Sequence, residues 1–262
     1  MSSKSAANVD GDITYDLVDA HAHIWPHGAP GAADDLPGML ILLNSTGMDD
    51  IEATAAFARS HRRSIALFVG LHPNSPHPDL DAFDAWLVKN ESSVVGLGEI
   101  GLDERADPDH SRKIFLSQLE LASHIRKPVS VHSRGRARDV LDHLSSFDLA
   151  VHLHWFQGTE AELVQGMDRG YYFSFGPPLL YSKRMGRLFM KMRLDRLLLE
   201  TDSPVKYAAC FESRASEPFM IASVYFKAAS LLGVSLPELE LLIGRNAYRF
   251  LGRRIGPPAP MK

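Results

Sequence analysis

Residues 93–103 read SVVGLGEIGLD, an apolar run that arrives at a carboxylate, Glu99. Burying a carboxylate at the end of such a run is costly unless it is paired or bound to metal, and its two oxygens can serve two cations at once. A salt-bridged core glutamate is the alternative reading. The same arrangement recurs along the chain. His21 and His23 lie in VDAHAHIW (18–25), His132 in VSVHSRG (129–135), His154 in VHLHWFQG (151–158) and Asp202 in LLLETDSP (197–204). Nearly every one closes a short apolar run and is followed by a polar or glycine-rich break. Strands that repeatedly end on donor side chains describe a parallel barrel whose strand tips converge on one metal site.

Working outward, short Val/Ile/Leu-rich runs at 15–21, 39–44, 64–70, 93–99, 128–132, 149–154, 171–175 and 197–201 read as strands buried on both faces. Helical patterns fill most of the intervals, at 49–61, 79–90, 110–126, 136–146, 159–169 and 183–192, and two more follow at 216–232 and 236–251. Ser235 with Glu238 three residues on is a capping-box pattern. The expected fold is α/β, a (β/α)8 barrel of the TIM type over residues 15–252, with tails at 1–14 and 253–262. An open doubly wound sheet is the alternative, but it would gather its ligands at one switch point and not on most strand tips.

A chain of 262 residues with 45% hydrophobic residues suits one large core. Cys210 is the lone cysteine, so an intrachain disulfide is excluded and a reducing, cytoplasmic setting is expected. The N-terminal segment lacks the apolar stretch of a secretory signal, and no run is long enough to span a bilayer, so no membrane partner is expected. The net charge of -4 gives no global attraction to nucleic acid, so any polyanion must be drawn by a local patch or by bound cations.

Each donor has an ordinary reading of its own. His21 and His23, two apart on a strand, share a face and can reach one cation, yet alone they read as two half-buried histidines. His132 and His154 are, singly, as consistent with satisfied core histidines. His152 shares the face of His154 but should lie deeper, and Asp19 reads either as a partner of the histidine pair or as a plain strand-end aspartate. Asp103 reads as a cap for the next segment. Asp202 can hold a metal and take a proton from an attacking water, and Glu200, of the same parity, can orient a ligand or support the barrel mouth. Six coincidences at strand tips are less probable than one site. Four imidazoles with two carboxylates suit zinc, manganese, nickel or iron, whereas magnesium, which favours oxygen shells, fits a role in activity better than tight binding.

This ordering resembles the TatD family of metal-dependent hydrolases, within the amidohydrolase-like barrels. The resemblance runs from about residue 16 to 252 and rests on DAHAHIW, VGLHP, VVGLGEIGLD, QLELASHIRKPVSVHSR, HLHWFQGT, YYFSFG, LLLETDSP and GRNAYRFLG. It implies a barrel with two divalent cations that hydrolyses phosphodiesters, typically as a DNase. His21 and His23 would bind one metal and His132 and His154 the other, with Glu99 bridging and Asp202 completing the first site. His72 matches the family's GxHP histidine and would contact substrate or support a ligand from behind, although Pro73 also suits a plain turn histidine. Two stretches depart from the pattern. The usual HCFSG is HWFQG here, where Trp155 would narrow the pocket, stack on a base or simply pack. CFESRASEP (210–218) replaces the usual NxP, which leaves the substrate contacts of 205–218 open.

The expected activity is hydrolysis by a metal-activated water, with Asp202 as base: a phosphodiesterase or deoxyribonuclease acting as a 3′-end exonuclease on single strands. D-aminoacyl-tRNA deacylation, or hydrolysis of a small ester, lactone or amide, would use the same machinery. A catalytically silent scaffold or nucleic-acid binder has no physical need for all six donors. Arg134, two residues past His132, suits a forked contact to phosphate, whereas Lys183, Arg187 and Lys191 at helical spacing read as a solvated face. DNA or RNA is the expected partner, and no obligate protein partner is implied.

Overall fold

In the computed structural model, residues 16–23 and 38–252 are described. The expected tails at 1–14 and 253–262 lie outside the described residues. Eight strands form one sheet in sequential order, every neighbouring pair parallel: β1 (Leu17–Ala22), β2 (Met39–Asn44), β3 (Ile65–Val69), β4 (Gly96–Gly101), β5 (Val129–His132), β6 (Val151–Leu153), β7 (Tyr172–Phe175) and β8 (Leu197–Leu199). The sheet closes where Ala22 forms a parallel bridge with Ser203. There the amide of His23 donates to Ser203 O at 2.7 Å and that of Asp202 to His21 O at 2.9 Å. This is the expected (β/α)8 barrel.

Eight helices pack around it: α1 (Ile51–Ser60), α2 (Leu80–Asn90), α3 (Pro108–His124), α4 (Ala137–Leu144), α5 (Glu160–Asp168), α6 (Lys183–Phe189), α7 (Ile221–Leu232) and α8 (Leu236–Phe250). Local chemistry sets their starts. Asp79 caps α2, and Asp107 caps α3 with Pro108 in the first turn. Complete capping boxes open α5 (Thr159 with Glu162) and α8 (Ser235 with Glu238). On α3 the buried Ile114, Phe115, Gln118, Leu119 and Ala122 recur at helical spacing, which fixes the face laid against the barrel.

The barrel is stoppered at the end opposite the donors. Phe250 of α8 meets the rings of Phe68, His152 and Tyr172 with centroids 5.6–6.0 Å apart, and Asn246 donates to Leu194 O and Leu197 O just before and at the start of β8. Truncating a buried phenylalanine of this kind costs about 3–5 kcal/mol. Among the described residues no single helix is long and apolar enough to cross a membrane.

Three boundaries differ from the sequence reading in ways that bear on the site. β4 begins later than expected and runs two residues beyond Glu99, to Gly101. Its glycines mark close approach and not a break: a Cβ on Gly101, at φ +145, would fall 2.0 Å from His132 O. β8 stops at Leu199, so Asp202 stands on the loop beyond it. α7 begins at Ile221, after a single tight turn at Pro218–Met220, so 216–232 is not one continuous helix.

Candidate metal centre

The donors gather at the C-terminal end of the strands, where loops diverge and a ligand can enter. His21 lies within β1 and His23 just past it; His132 ends β5 and His154 follows β6. Asp202 adopts φ +49 and Trp155 φ +37, left-handed conformations that turn the chain sharply at the site.

Glu99 divides the imidazoles between its two oxygens. Oε1 lies 2.6 Å from His132 Nδ1, 2.7 Å from His154 Nε2 and 3.3 Å from His72 Nε2. Oε2 lies 3.2 Å from His23 Nε2 and 3.5 Å from His21 Nε2. Asp202 belongs with the second group, its Oδ1 3.5 Å from His23 Nε2 and 3.9 Å from His21 Nε2. Glu99, Asp202, His21 and His154 are all buried.

Hydrogen bonds on the far side of each ring decide which nitrogen faces the cluster with a lone pair. The Nδ1–H of His23 donates to Asn44 O at 3.0 Å, so Nε2 is the nitrogen that faces Glu99 and that a cation would take in place of a proton. His132 directs Nε2 at Asp103 Oδ2, 2.7 Å away, so Nδ1 is the nitrogen turned to the cluster, where a cation would replace its proton. His72 is the reverse: its Nδ1 accepts the amide of Asn74 at 3.0 Å, so Nε2 carries a proton and donates into the site. Although His72 lies close enough to be grouped with Glu99 and His132, its tautomer makes it a donor and not a ligand.

A buried relay runs behind His21. Its Nδ1 lies 3.0 Å from Ser130 Oγ, which is 3.4 Å from His152 Nδ1; His152 Nε2 is 2.6 Å from Ser174 Oγ. Ser174 donates to Glu200 Oε2 at 2.5 Å, and the amide of Trp155 donates to Glu200 Oε1 at 2.6 Å. When every proton points toward Glu200, His21 holds its proton on Nδ1 and presents Nε2 to the cluster. Glu200 therefore touches no donor directly and reaches His21 through three side chains. Asp19 bonds to the other side of the seam, accepting from the Thr201 amide at 2.8 Å and its hydroxyl at 2.5 Å. It fastens β1 to the loop after β8 and does not touch the imidazoles of the histidine pair.

Burial works to raise Glu99, yet the surrounding His72, His154 and His132 hold its carboxyl well below the usual range. Burial lowers His132, but the hydrogen bonds to Asp103 and Glu99 prevail and raise it to about 9. His23 is likewise raised, against burial, by Asp202 and Glu99. Burial keeps His21 and His152 well below the ordinary histidine value. Burial, with Asp202 and Asp19 nearby, raises Glu200. Carboxylates that must recruit imidazolium protons for balance suit positive charge between them. Borderline-soft imidazole nitrogens gathered about two carboxylates fit divalent transition metals. Among the described residues, three groups of side chains each bring ligand atoms within 4.8 Å of one another: His21, Glu99 and His154; His21, His23 and Asp202; His72, Glu99 and His132.

A family model described as TatD related DNase matches residues 18–252. The chain belongs to the TatD-related DNase family. It thereby joins the metal-dependent hydrolases of ester bonds. Human deoxyribonuclease TATDN3 is 26% identical over 261 residues, covering 89% of this chain and 93% of the relative. An uncharacterized metal-dependent hydrolase of Methanocaldococcus jannaschii is 26% identical over 254 residues, covering 93% and 99%. The crystal structure of YJJV, a TatD homolog of Escherichia coli K12, superposes with a TM-score of 0.80 at 24% identity, covering 90% of this chain and 97% of that one, a likeness of fold.

In this TatD-family chain the donors open on a cavity of about 460 Å³ whose wall includes His72, Arg134, Trp155, Gln157 and Val205. Arg134 stands at the mouth, its side chain 38% exposed and Nε 3.8 Å from Glu104 Oε1, an exposed pair that holds it loosely. Asp103, which the sequence suggests as a cap, is 2% exposed and gripped by His132 and the Arg105 amide. These bonds outweigh burial and take its carboxyl below its ordinary range.

Proposed function

We propose that this chain is a phosphodiesterase that trims single-stranded DNA from its 3′ end with the help of two divalent cations. The observation that carries the reading is the division of imidazoles by Glu99, which supports one cation held by His21, His23 and Asp202, a second by His132 and His154, and Glu99 shared by both. Bound there, the cations supply Lewis-acid polarisation of the phosphate and lower the pKa of water toward neutrality. Asp202 accepts the proton of the attacking water at a carboxylate oxygen. His72 donates a hydrogen bond from its Nε2–H to a substrate oxygen, and Arg134 at the mouth pairs with phosphate. Trp155, half-buried on the cavity wall, limits the width to an unpaired end and offers a face for a base.

The test is a substrate panel with metal-reconstituted protein: labelled single-stranded DNA, a D-aminoacyl-tRNA and a neutral aryl ester, each also with Asp202→Asn. The reading requires DNA to turn over fastest and Asp202→Asn to depress turnover far more than affinity. Faster turnover of D-aminoacyl-tRNA or aryl ester moves the assignment to carboxyl esters. No turnover of any substrate with metal bound leaves a silent scaffold.

A further inference from the structure

The cations of α6, which in sequence look like a solvated stripe, line a second cavity of about 890 Å³ beside the metal centre. Lys183, Arg184, Arg187 and Lys191 come from α6 and the turn after it, and Lys227 joins them from α7. Glu160 is the acidic residue on the wall, and Lys191 pairs with it at 2.9 Å. Arg184 donates to the carbonyls of Gln157 and Gly158. Lys183, Arg187 and Lys227 have no ion pair among the described residues. In a chain of net charge -4 this is a concentrated local patch.

The two cavities are neighbours whose walls adjoin along the chain. Gln157 lines the metal cavity while the next residues, Gly158 and Thr159, line the cationic groove. A run of rings makes a second link. Trp155, on the metal cavity, meets Tyr207 at 5.4 Å; Tyr207 meets Phe211 at 5.9 Å; and Phe211 meets Tyr181 at 6.5 Å. Tyr181 lines the groove and is 38% exposed. The loop 205–218, which departs from the family pattern in sequence, supplies the middle of this run.

We infer that the groove between α5, α6 and α7 holds the body of a single-stranded nucleic acid whose terminal phosphodiester lies in the metal cavity. Phosphates sit against Lys183, Arg187 and Lys227, and bases stack on Tyr181 and Trp155. Exposed ring faces beside a cationic track suit an unpaired strand, because bases in a duplex are already stacked. The inference rests on the phosphodiesterase reading for which end of the strand enters the site, but binding in the groove can be measured without hydrolysis.

The experiment uses full-length protein and oligothymidylates of increasing length. Binding is followed by fluorescence anisotropy in chelator, and turnover is measured with metal on the same oligomers and on bis(p-nitrophenyl) phosphate, which is too short to reach the groove. Lys183→Glu/Arg187→Glu/Lys227→Glu should weaken binding of long oligomers by about tenfold or more and flatten the dependence of log affinity on log salt by about 0.7 per lost phosphate contact. Turnover of the small diester should hold. Tyr181→Ala should weaken oligomer binding about fivefold or more with no change in salt slope. Lys89→Glu on α2 reports the effect of a two-unit change in net charge away from the groove, against six in the triple variant, and Lys183→Gln/Lys227→Gln, itself a two-unit change, is matched to it and covers the case in which the triple variant is unstable. Wild-type affinity that does not grow with length, or charge-reversed protein that binds long oligomers as the wild type does, overturns the groove. Length-dependent binding lost in the variants, with neither diester hydrolysed by the metal-loaded wild type, leaves the groove standing and removes the phosphodiesterase reading.

Discussion

Asp103 Oδ2 lies 2.7 Å from Nε2 of His132, on the side of the ring away from Glu99. The pair fixes the imidazole so that Nδ1, 2.6 Å from Glu99 Oε1, faces the cluster. A carboxylate behind a ligating histidine orients the ring and makes its free nitrogen more basic.

Asp103→Asn should therefore cost about tenfold to a hundredfold in affinity for the cation proposed at His132 and His154, with little effect on the other. Competition against a chelating dye measures both affinities. Wild-type values for both would reduce Asp103 to a cap for the following segment.

The same logic reaches further at Glu200. Glu200→Gln places an amide donor against Ser174, which reverses the relay through His152 and Ser130 and puts a proton on His21 Nε2. The expected outcome is a metal affinity lower by about tenfold or more with the fold retained. Long-range ¹⁵N–¹H spectra of the metal-free variant should show His21 protonated at Nε2. An unchanged His21 spectrum with unchanged metal affinity would exclude the relay.

The barrel was legible in the sequence because each strand is an apolar run bounded by turn residues, and the six donors because they recur at the ends of those runs. What the sequence hid is of two kinds. Boundaries moved where glycine permits close packing and does not end a strand, as at Gly101 in β4. Partners that depend on the closing of the barrel were out of reach: Asp103 behind His132, Asp19 against Thr201, and His152 between two serines. Nothing local distinguishes a capping aspartate from one that meets a histidine on the next strand. The cations of α6 looked solvated because Lys227, which faces them, lies 36 residues beyond Lys191 in sequence.

Arg134 separates phosphate chemistry from other hydrolysis. Arg134→Ala should slow cleavage of single-stranded DNA by about tenfold or more, Arg134→Lys should recover part of it, and a neutral ester should be little affected. Steady-state kinetics of both variants on both substrates decide. Equal loss on the ester would point to a structural role.

Burial raises Asp19 to about 7 from an ordinary 3.8, against the hydrogen bonds from Thr201. Between those values the folded protein keeps a proton that the unfolded chain has lost. The contribution of Asp19 to stability therefore falls as pH rises from about 4 to 7, by roughly 1.4 kcal/mol per pH unit, and is level above that. In the metal-free protein Asp19→Asn should remove this slope. Urea unfolding of both proteins at pH 5 and pH 8 measures it, and parallel pH dependence in the two would contradict the assignment.

The most direct test of the central claim is to titrate metal-free protein with manganese or zinc while following both bound cation and cleavage of 3′-labelled single-stranded DNA. The account predicts binding that saturates at about two cations per chain, activity that rises to its full value as the second is bound, and loss of activity on chelation. Cleavage that persists in chelator, or a protein that holds two cations and leaves single-stranded DNA intact, would contradict it.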